Sequence, residues 1–427
     1  MNEALRKKIM LTRFGVLFQS PLRVRFASGV FWSGVAAVIN QGTNLVAAII
    51  VARIIGQVKF GELSIITTTV ATFGILGSLG LSITAIKYVA DFRLMDPERA
   101  GSVIGFLSLV ALVCGGIVSA AIFWFAPSLA DKVLNAPQLV DELRVSCGLL
   151  FFNALSGVQQ GTLIGLEAFR PVALINLIGG VAGVGLNVVG ALRWGVVGAV
   201  GGYTLTAALT WLISQIVLVR ELNRKGLAIH YNNLRRNWSL IWKFAIPSVI
   251  IALSTQPFAL FVRIMLTNQP NGYAQLGIFT AAFAWSNILM FLPQQISRPV
   301  IPIMSDLLGR GHTQSVTRFL QLDLAITMGV SVLVAIPLIV FSALIMGAYG
   351  DSFSAGSTVL IVVLAAFVFG AGTLVFKDIL SSASKMWALA ALAIVWGVCL
   401  VASTQVLLPQ GAMGLALAYL ISYVALF

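Results

Sequence analysis

The stretch Val51–Ser64, VARIIGQVKFGELS, sits between two long runs that carry no charge, Phe31–Val51 and Leu63–Ile86. Each run is about as long as the roughly 20 apolar residues a helix needs to cross a bilayer. The charges between them, Arg53, Lys59 and Glu62, fall within ten residues. An apolar run, a short charged turn and a second apolar run predict a helical hairpin in lipid, with Arg53 closing the first span. The rest of the chain extends the pattern: 59% of the 427 residues are hydrophobic and 10% are charged, against about 25% charged in soluble domains. In lipid the backbone must satisfy its own hydrogen bonds, which leaves helices or closed barrels. Runs of this length, without period-two alternation, select helices.

The fold class read from the sequence is an all-α integral membrane protein. About twelve transmembrane helices are expected, near 29–52, 62–88, 102–127, 146–168, 171–192, 196–219, 240–265, 275–303, 319–346, 356–381, 386–408 and 411–427. With a cytoplasmic N-terminus, 21 Lys and Arg residues fall on the cytoplasmic side and 6 on the other. The excess of basic residues on one side orients such proteins, so both termini are expected in the cytoplasm. The same excess accounts for the net charge of +13 without nucleic acid as a partner. Cys114, Cys147 and Cys399 lie in apolar runs, and His230 and His312 in polar loops, so neither a disulfide framework nor a metal site is expected. P-loop, nucleophile-elbow and metal-ligand motifs are absent. The expectation is a non-enzyme without cofactors.

Two segments share the pattern G-x-x-G-x-x-x-x-Y: GVVGAVGGY from Gly195 and GAMGLALAY from Gly411, 216 residues apart. KFGELSI from Lys59 aligns with GYAQLGI from Gly272, and LEAFRPVA from Leu166 with SSASKMWA from Ser381, at nearly the same offset. The chain therefore divides into a basic N-terminal segment (1–28), a six-helix half (29–219), a basic cytoplasmic link (220–239) and a second six-helix half (240–427). Pseudo-symmetric halves of this parallel kind enclose a central cavity with the substrate path between them. The link reads as a solvated connector.

Polar residues spaced by 3, 4, 7 or 11 share a helix face, and inside a membrane they face protein or water. Ser33, Asn40 and Asn44 form such a stripe in the first span, and Asn153, Gln160 and Glu167 in the fourth. Gln256 and Arg263 align in the seventh. Thr280, Asn287, Gln294 and Arg298 align in the eighth, where Pro293, Pro299 and Pro302 favour bending. The candidate substrate contacts are Arg53, Arg263, Arg298, Asn287, Gln294, Asn40 and Asn44. For these amides the alternative role is interhelical bonding, and for the arginines snorkelling to headgroups.

VARIIGQVKFGELS with GSLGLSITAIKYVADFR (Gly77 to Arg93), GLEAFRPVALIN and the two G-x-x-G segments together resemble the polysaccharide transporter family. This is the lipid-linked oligosaccharide flippase branch of the multidrug/oligosaccharidyl-lipid/polysaccharide exporter superfamily. The residues of the likeness are Ala52, Arg53, Gly56, Phe60, Gly61 and Ser64. One position departs: relatives often carry an aspartate before the seventh-span arginine, where this chain has Val262. The resemblance implies transfer of an undecaprenyl-diphosphate-linked sugar repeat from the inner to the outer leaflet of a bacterial inner membrane. It implies alternating access driven by an ion gradient, with polysaccharide assembly proteins as candidate partners. Glu167, Asp323 and Asp378 are the acids placed to couple that gradient. A cation or drug exporter of the related multidrug branch would favour acids in the cavity. A membrane glycosyltransferase would carry a larger outer loop than Pro127–Val145.

Overall fold

The computed structural model describes residues 21–231, 253–309, 313–383 and 385–427, with Trp238 and Val249 in addition. Among these the chain is helical throughout, without strands. The helices are α1 (Pro21–Ser78), α2 (Leu81–Phe92), α3 (Pro97–Ser128), α4 (Val140–Gly165), α5 (Phe169–Arg224), α6 (Gln256–Thr267), α7 (Gly272–Ala284), α8 (Ser286–Gly309), α9 (Thr313–Val340), α10 (Ser342–Ala348), α11 (Ser357–Ser382), α12 (Met386–Leu407) and α13 (Ala412–Leu426). Seven helical stretches among the described residues are long and apolar enough to cross a membrane.

Two of the helices are too long for one crossing. The 58 residues of α1 would extend about 87 Å if straight, and the 56 residues of α5 about 84 Å, against a bilayer of about 40–45 Å with its headgroups. Each is broken by one glycine in a conformation closed to other residues. Gly56 interrupts α1 (φ 78°, ψ 172°) and Gly195 interrupts α5 (φ 59°, ψ −131°). The Gly56 break falls in the stretch VARIIGQVKFGELS, between two apolar runs. Gly411, at the start of α13, has φ 61° and ψ −131°, nearly the backbone of Gly195. These are the opening glycines of the two G-x-x-G segments.

Several boundaries differ from the hydropathy reading. The first helix already includes Pro21, upstream of the expected start near residue 29, because nothing between them forbids helix. The second span is interrupted at Leu79 and Gly80, both at positive φ. The eighth divides at Trp285 into α7 and α8, with the Ser286 hydroxyl donating back to the Phe283 carbonyl (2.7 Å). The segment after α5 is docked rather than solvated at its start. Leu227 is buried, the Lys225 ammonium donates to the Leu166 carbonyl, and the His230 amide donates to the Gly101 carbonyl of α3 (3.4 Å).

In lipid, helices associate through close packing rather than water exclusion, and small residues permit the closest approach. One very close crossing joins α1 beyond Gly56 to α7. A Cβ on Gly61 would lie 1.9 Å from the Tyr273 carbonyl oxygen, and one on Gly277 2.1 Å from that of Gln57. Around this crossing lies the largest buried cluster, which includes Phe60, Ile65, Phe279, Tyr349, Phe353 and Tyr419. Its rings meet at centroid distances such as 5.6 Å for Phe279–Tyr419 and 5.2 Å for Phe283–Phe367.

Candidate functional site

Three polar groupings stand out within this apolar bundle. The first is a cavity of about 230 Å³ bounded by α1, α4 and α5. Asn40 and Asn44 reach it from α1, Asn153 and Gln160 from α4, and Asn176 and Asn187 from α5, with Thr43, Tyr203, Thr206 and Thr210 between them. Spacings of 4, 7 and 11 put each helix's pair on one face. The Asn44 amide donates to the Asn40 side-chain oxygen (2.7 Å). The side-chain oxygen of Asn187 is buried without a partner. The lining contains no ionisable carboxyl, ammonium or guanidinium group.

The second grouping is the α1–α7 crossing. Arg263, on α6, is 8% exposed. Its Nη1 donates to the Thr68 hydroxyl (2.6 Å) and the Ser64 hydroxyl (3.2 Å), both on α1. Its guanidinium carbon stands 5.2 Å from the Phe283 ring centroid and 5.9 Å from that of Phe279, close enough for cation–π attraction. Among the described residues no carboxylate pairs with it, and its Nε has no acceptor. Where the resemblance led one to look for an acid at position 262, Val262 is fully buried, and hydroxyls and rings take the acid's place. Ser64 also pairs with the Thr280 hydroxyl (2.6 Å), and the Gln57 amide donates to the Ala274 carbonyl (3.2 Å).

The remaining polar candidates disperse. Arg53 is exposed just before the Gly56 break. Asn287 and Gln294 are exposed on α8, and the Asn287 carbonyl accepts from the Gln41 side chain of α1 (3.4 Å). The side chains of Arg298 and Ser33 lie outside the described residues. The break at Trp285 separates Thr280 from the rest of its stripe.

The acids form the third grouping. Asp378 on α11 accepts from the Ser297 hydroxyl of α8. It is buried, as is Asp323 on α9, and the two carboxyl groups are close enough to repel one another. Asp323 is 3.4 Å from the Thr327 hydroxyl, and its second oxygen has no partner. Lys377 precedes Asp378 and partly balances it. Glu167 stands apart, forming an ion pair with Arg93 at the end of the bundle where Lys225 docks. Sequence reasoning missed several residues of these groupings, Asn176, Asn187, Ser64 and Thr68 among them. Asn176 and Asn187 could have been found from their 11-residue spacing in one apolar span. Ser64 and Thr68 carry no such signal as partners of Arg263, because the contact joins distant parts of the chain.

A bundle with polar cavities and no catalytic constellation among the described residues has the form of a membrane transporter. The fold is that of solved MATE-family transporters. A multidrug resistance MATE-family transporter in its inward-facing conformation superposes with a TM-score of 0.77 at 15% identity, over 93% of this chain and 95% of that one. Residues 26–308 match the family described as polysaccharide biosynthesis proteins, and the chain belongs to that family. The EPS I polysaccharide export inner membrane protein EpsE of Ralstonia nicotianae is 24% identical over 91% of this chain and 88% of its own length. The lipopolysaccharide biosynthesis protein WzxC of Escherichia coli is 27% identical over 59% of this chain and 50% of its own length.

Proposed function

We propose that this chain is a transporter, not an enzyme, that moves a lipid-linked polysaccharide repeat unit from the cytoplasmic to the outer leaflet of a bacterial inner membrane. Family membership and the printed roles of the relatives support the class of cargo. The observation that carries the reading is the sign of the polar groups. The cavity wall holds amides and hydroxyls without a carboxylate, and the buried cation Arg263 has no acidic partner among the described residues. Such groups suit a diphosphate joined to sugars, whose anionic oxygens accept charge-assisted hydrogen bonds. A cationic drug would require the opposite polarity, which weighs against the multidrug reading despite the shared fold.

In this proposal about twelve spans form two six-helix halves, 29–219 and 240–427, joined by the link 220–239, with both termini cytoplasmic. The near-identical backbones at Gly195 and Gly411 support the repeat. The α1–α7 crossing then lies toward the outer face and holds the halves together there, and rocking about it would expose the path to each side in turn. Asp323 and Asp378 serve as the ion-coupling pair. Glu167, already neutralised by Arg93, is given a structural part instead. Arg53, Asn287 and Gln294 lie on the way to the diphosphate site at Arg263, Arg298 is a further candidate contact, and Asn40 and Asn44 bind sugar. The lipid tail stays in the membrane, whose lipids are the other constant partner, and polysaccharide assembly proteins are candidate partners.

The test is reconstitution into vesicles containing a fluorescent undecaprenyl-diphosphate disaccharide, with an impermeant quencher reporting the exposed leaflet. Faster leaflet exchange than in protein-free vesicles, increased by an imposed proton or sodium gradient, is expected. Exchange at the protein-free rate under every gradient would refute the proposal.

A further inference from the structure

We propose that the amide-lined cavity between α1, α4 and α5 is a reading site for one uncharged sugar ring of the cargo, distinct from wherever the diphosphate is held. This rests on the transporter reading above and adds to it a division of labour.

The argument begins with unused hydrogen-bonding capacity. Asn153, Gln160 and Asn176 all face the cavity. Of the lining amides, Asn187 is buried and its side-chain oxygen has no partner, although buried polar groups of a folded chain are normally paired. An interhelical clamp would show the opposite, amides spent on each other, as Gln159 and Gln215 are at 2.6 Å elsewhere on α4 and α5. The unspent amide oxygen therefore awaits water or a ligand.

The chemistry of the wall narrows the ligand. Each amide offers donors and an acceptor, the pairing that a sugar hydroxyl, itself donor and acceptor, can use at both ends. A dianionic headgroup placed here would meet no cation in the lining, and a cationic ligand no carboxylate. Burying an uncompensated charge is far more costly than burying a hydrogen-bonded neutral group. The ligand is thus polar and neutral.

Size narrows it further. A volume near 230 Å³, below the roughly 300–1,000 Å³ of pockets for drug-sized molecules, suits a single ring, with the rest of the headgroup outside the partly open cavity. The cavity also has little room to shrink. A Cβ on Gly180 would lie 2.6 Å from the Thr43 hydroxyl, so a larger residue there would push a lining side chain into the space.

The experiment uses the full chain in nanodiscs, with Cys114, Cys147 and Cys399 replaced by alanine and Asn153→Cys as a reporter, alkylated by a small polar maleimide. The probes are undecaprenyl diphosphate carrying a neutral disaccharide, undecaprenyl diphosphate without sugar, and sodium ion. Expected is several-fold slower alkylation with the disaccharide lipid and no protection from the other two. In the chain with Asn153 intact, Gln160→Ala with Asn176→Ala should weaken binding of the disaccharide lipid about 10-fold, from two hydrogen bonds of roughly 0.5–1.5 kcal/mol each, and leave the sugarless lipid unchanged. Val184→Phe, filling the cavity from its wall, should have the same selective effect without deleting an amide.

Equal protection by both lipids would overturn the sugar site, since the cavity would then sense diphosphate or tail. Protection by sodium alone would make it a cation site and overturn the proposal. If neither lipid protects while the Asn153-intact chain still exchanges the disaccharide lipid between leaflets, the sugar site is wrong and the transporter reading stands. If exchange is absent too, both fall.

Discussion

Replacing Arg263 tests whether the α1–α7 crossing is a lock. Opening it would separate the guanidinium from Ser64 and Thr68 on α1. The ring contacts with Phe279 and Phe283 lie on α7, within the same half as Arg263 in the proposed division, and would survive. The lock is therefore the two hydroxyl bonds. A hydrogen bond to a charged group contributes about 1.5–3 kcal/mol net, and the 2.6 Å bond to Thr68 should dominate. Arg263→Ala leaves Ser64 and Thr68 paired, and removes the guanidinium partner of the buried Tyr419 hydroxyl. Ser64 still pairs with Thr280, and the Thr68 hydroxyl still donates to the Ser64 carbonyl at 2.8 Å. The closed state should thus lose about 2 kcal/mol, roughly a 30-fold shift toward opening. Lysine keeps the charge but not the planar fork, so Arg263→Lys should be intermediate. Gln57→Cys with Ala274→Cys, in a background without the three native cysteines, places a thiol on each side of the contact without touching Arg263's partners. Oxidative crosslinking should be fast with arginine, slower with lysine and slowest with alanine, by at most about 30-fold. Equal rates in all three would show that the hydroxyl bonds hold nothing together.

Other consequences are open to direct measurement. Asp378→Asn and Asp323→Asn should each abolish the response of leaflet exchange to an ion gradient while leaving gradient-free exchange measurable; an unaltered gradient response in both would remove them as the coupling pair. Reversing the ion pair with Arg93→Glu and Glu167→Arg together should restore folded protein lost in either single variant, assayed by detergent-stable yield, because the pair is structural in this account. An impermeant thiol reagent should label a cysteine placed at Asn268–Asn271 from outside and one placed in Arg220–Asn237 only after the membrane is permeabilised; the reverse pattern would invert the proposed topology. Glu142, in the polar segment before the fourth span, is buried with one oxygen unpaired, and burial pushes its carboxyl above the ordinary range. Its neutral form is the one that folding favours, so that contribution is present at low pH and lost as pH rises through the raised value. Glu142→Gln should therefore raise thermal stability more at pH 8 than at pH 5, and an equal effect at both would show that its ionisation is immaterial.

Hydropathy made the helical membrane class legible, since the cost of unpaired backbone in lipid leaves few alternatives. The G-x-x-G segments were legible for a related reason: the conformations at Gly195 and Gly411 exclude side chains, so the sequence must show glycine. The division at Trp285 was not legible, because no glycine or proline occupies the break. Helical periodicity projected Thr280 and Asn287 onto one face, but Thr280 bonds to Ser64 of α1 whereas the Asn287 side chain is exposed. Asn40, Asn44, Asn153 and Gln160 were found as stripes, but which stripes share a cavity depends on how α1, α4 and α5 pack. The partners of Arg263 were hidden for the same reason. A guanidinium can be satisfied by acids, hydroxyls, carbonyls or rings, and spacing within one span cannot choose among them.

The absence of an acid beside Arg263 bears on mechanism. A buried guanidinium paired with a carboxylate would be neutral as a unit, and an anionic cargo would have to displace the carboxylate before gaining from the charge. The hydroxyl partners on α1 occupy only Nη1, leave Nε without an acceptor and leave the positive charge uncompensated. Desolvation of such a charge costs several kcal/mol, so the arrangement is stable only because packing around Phe279, Tyr419 and their neighbours supports it. A diphosphate reaching Arg263 would replace two neutral acceptors with anionic ones, at greater bond strength. The groups it displaces are the ones that hold α1 to α6 and α7. Cargo binding and release of the crossing would then draw on the same guanidinium, and an empty carrier, with nothing to compete for Arg263, would tend to stay closed at that crossing. This is how the bundle could couple opening to the presence of an anion without a separate sensor.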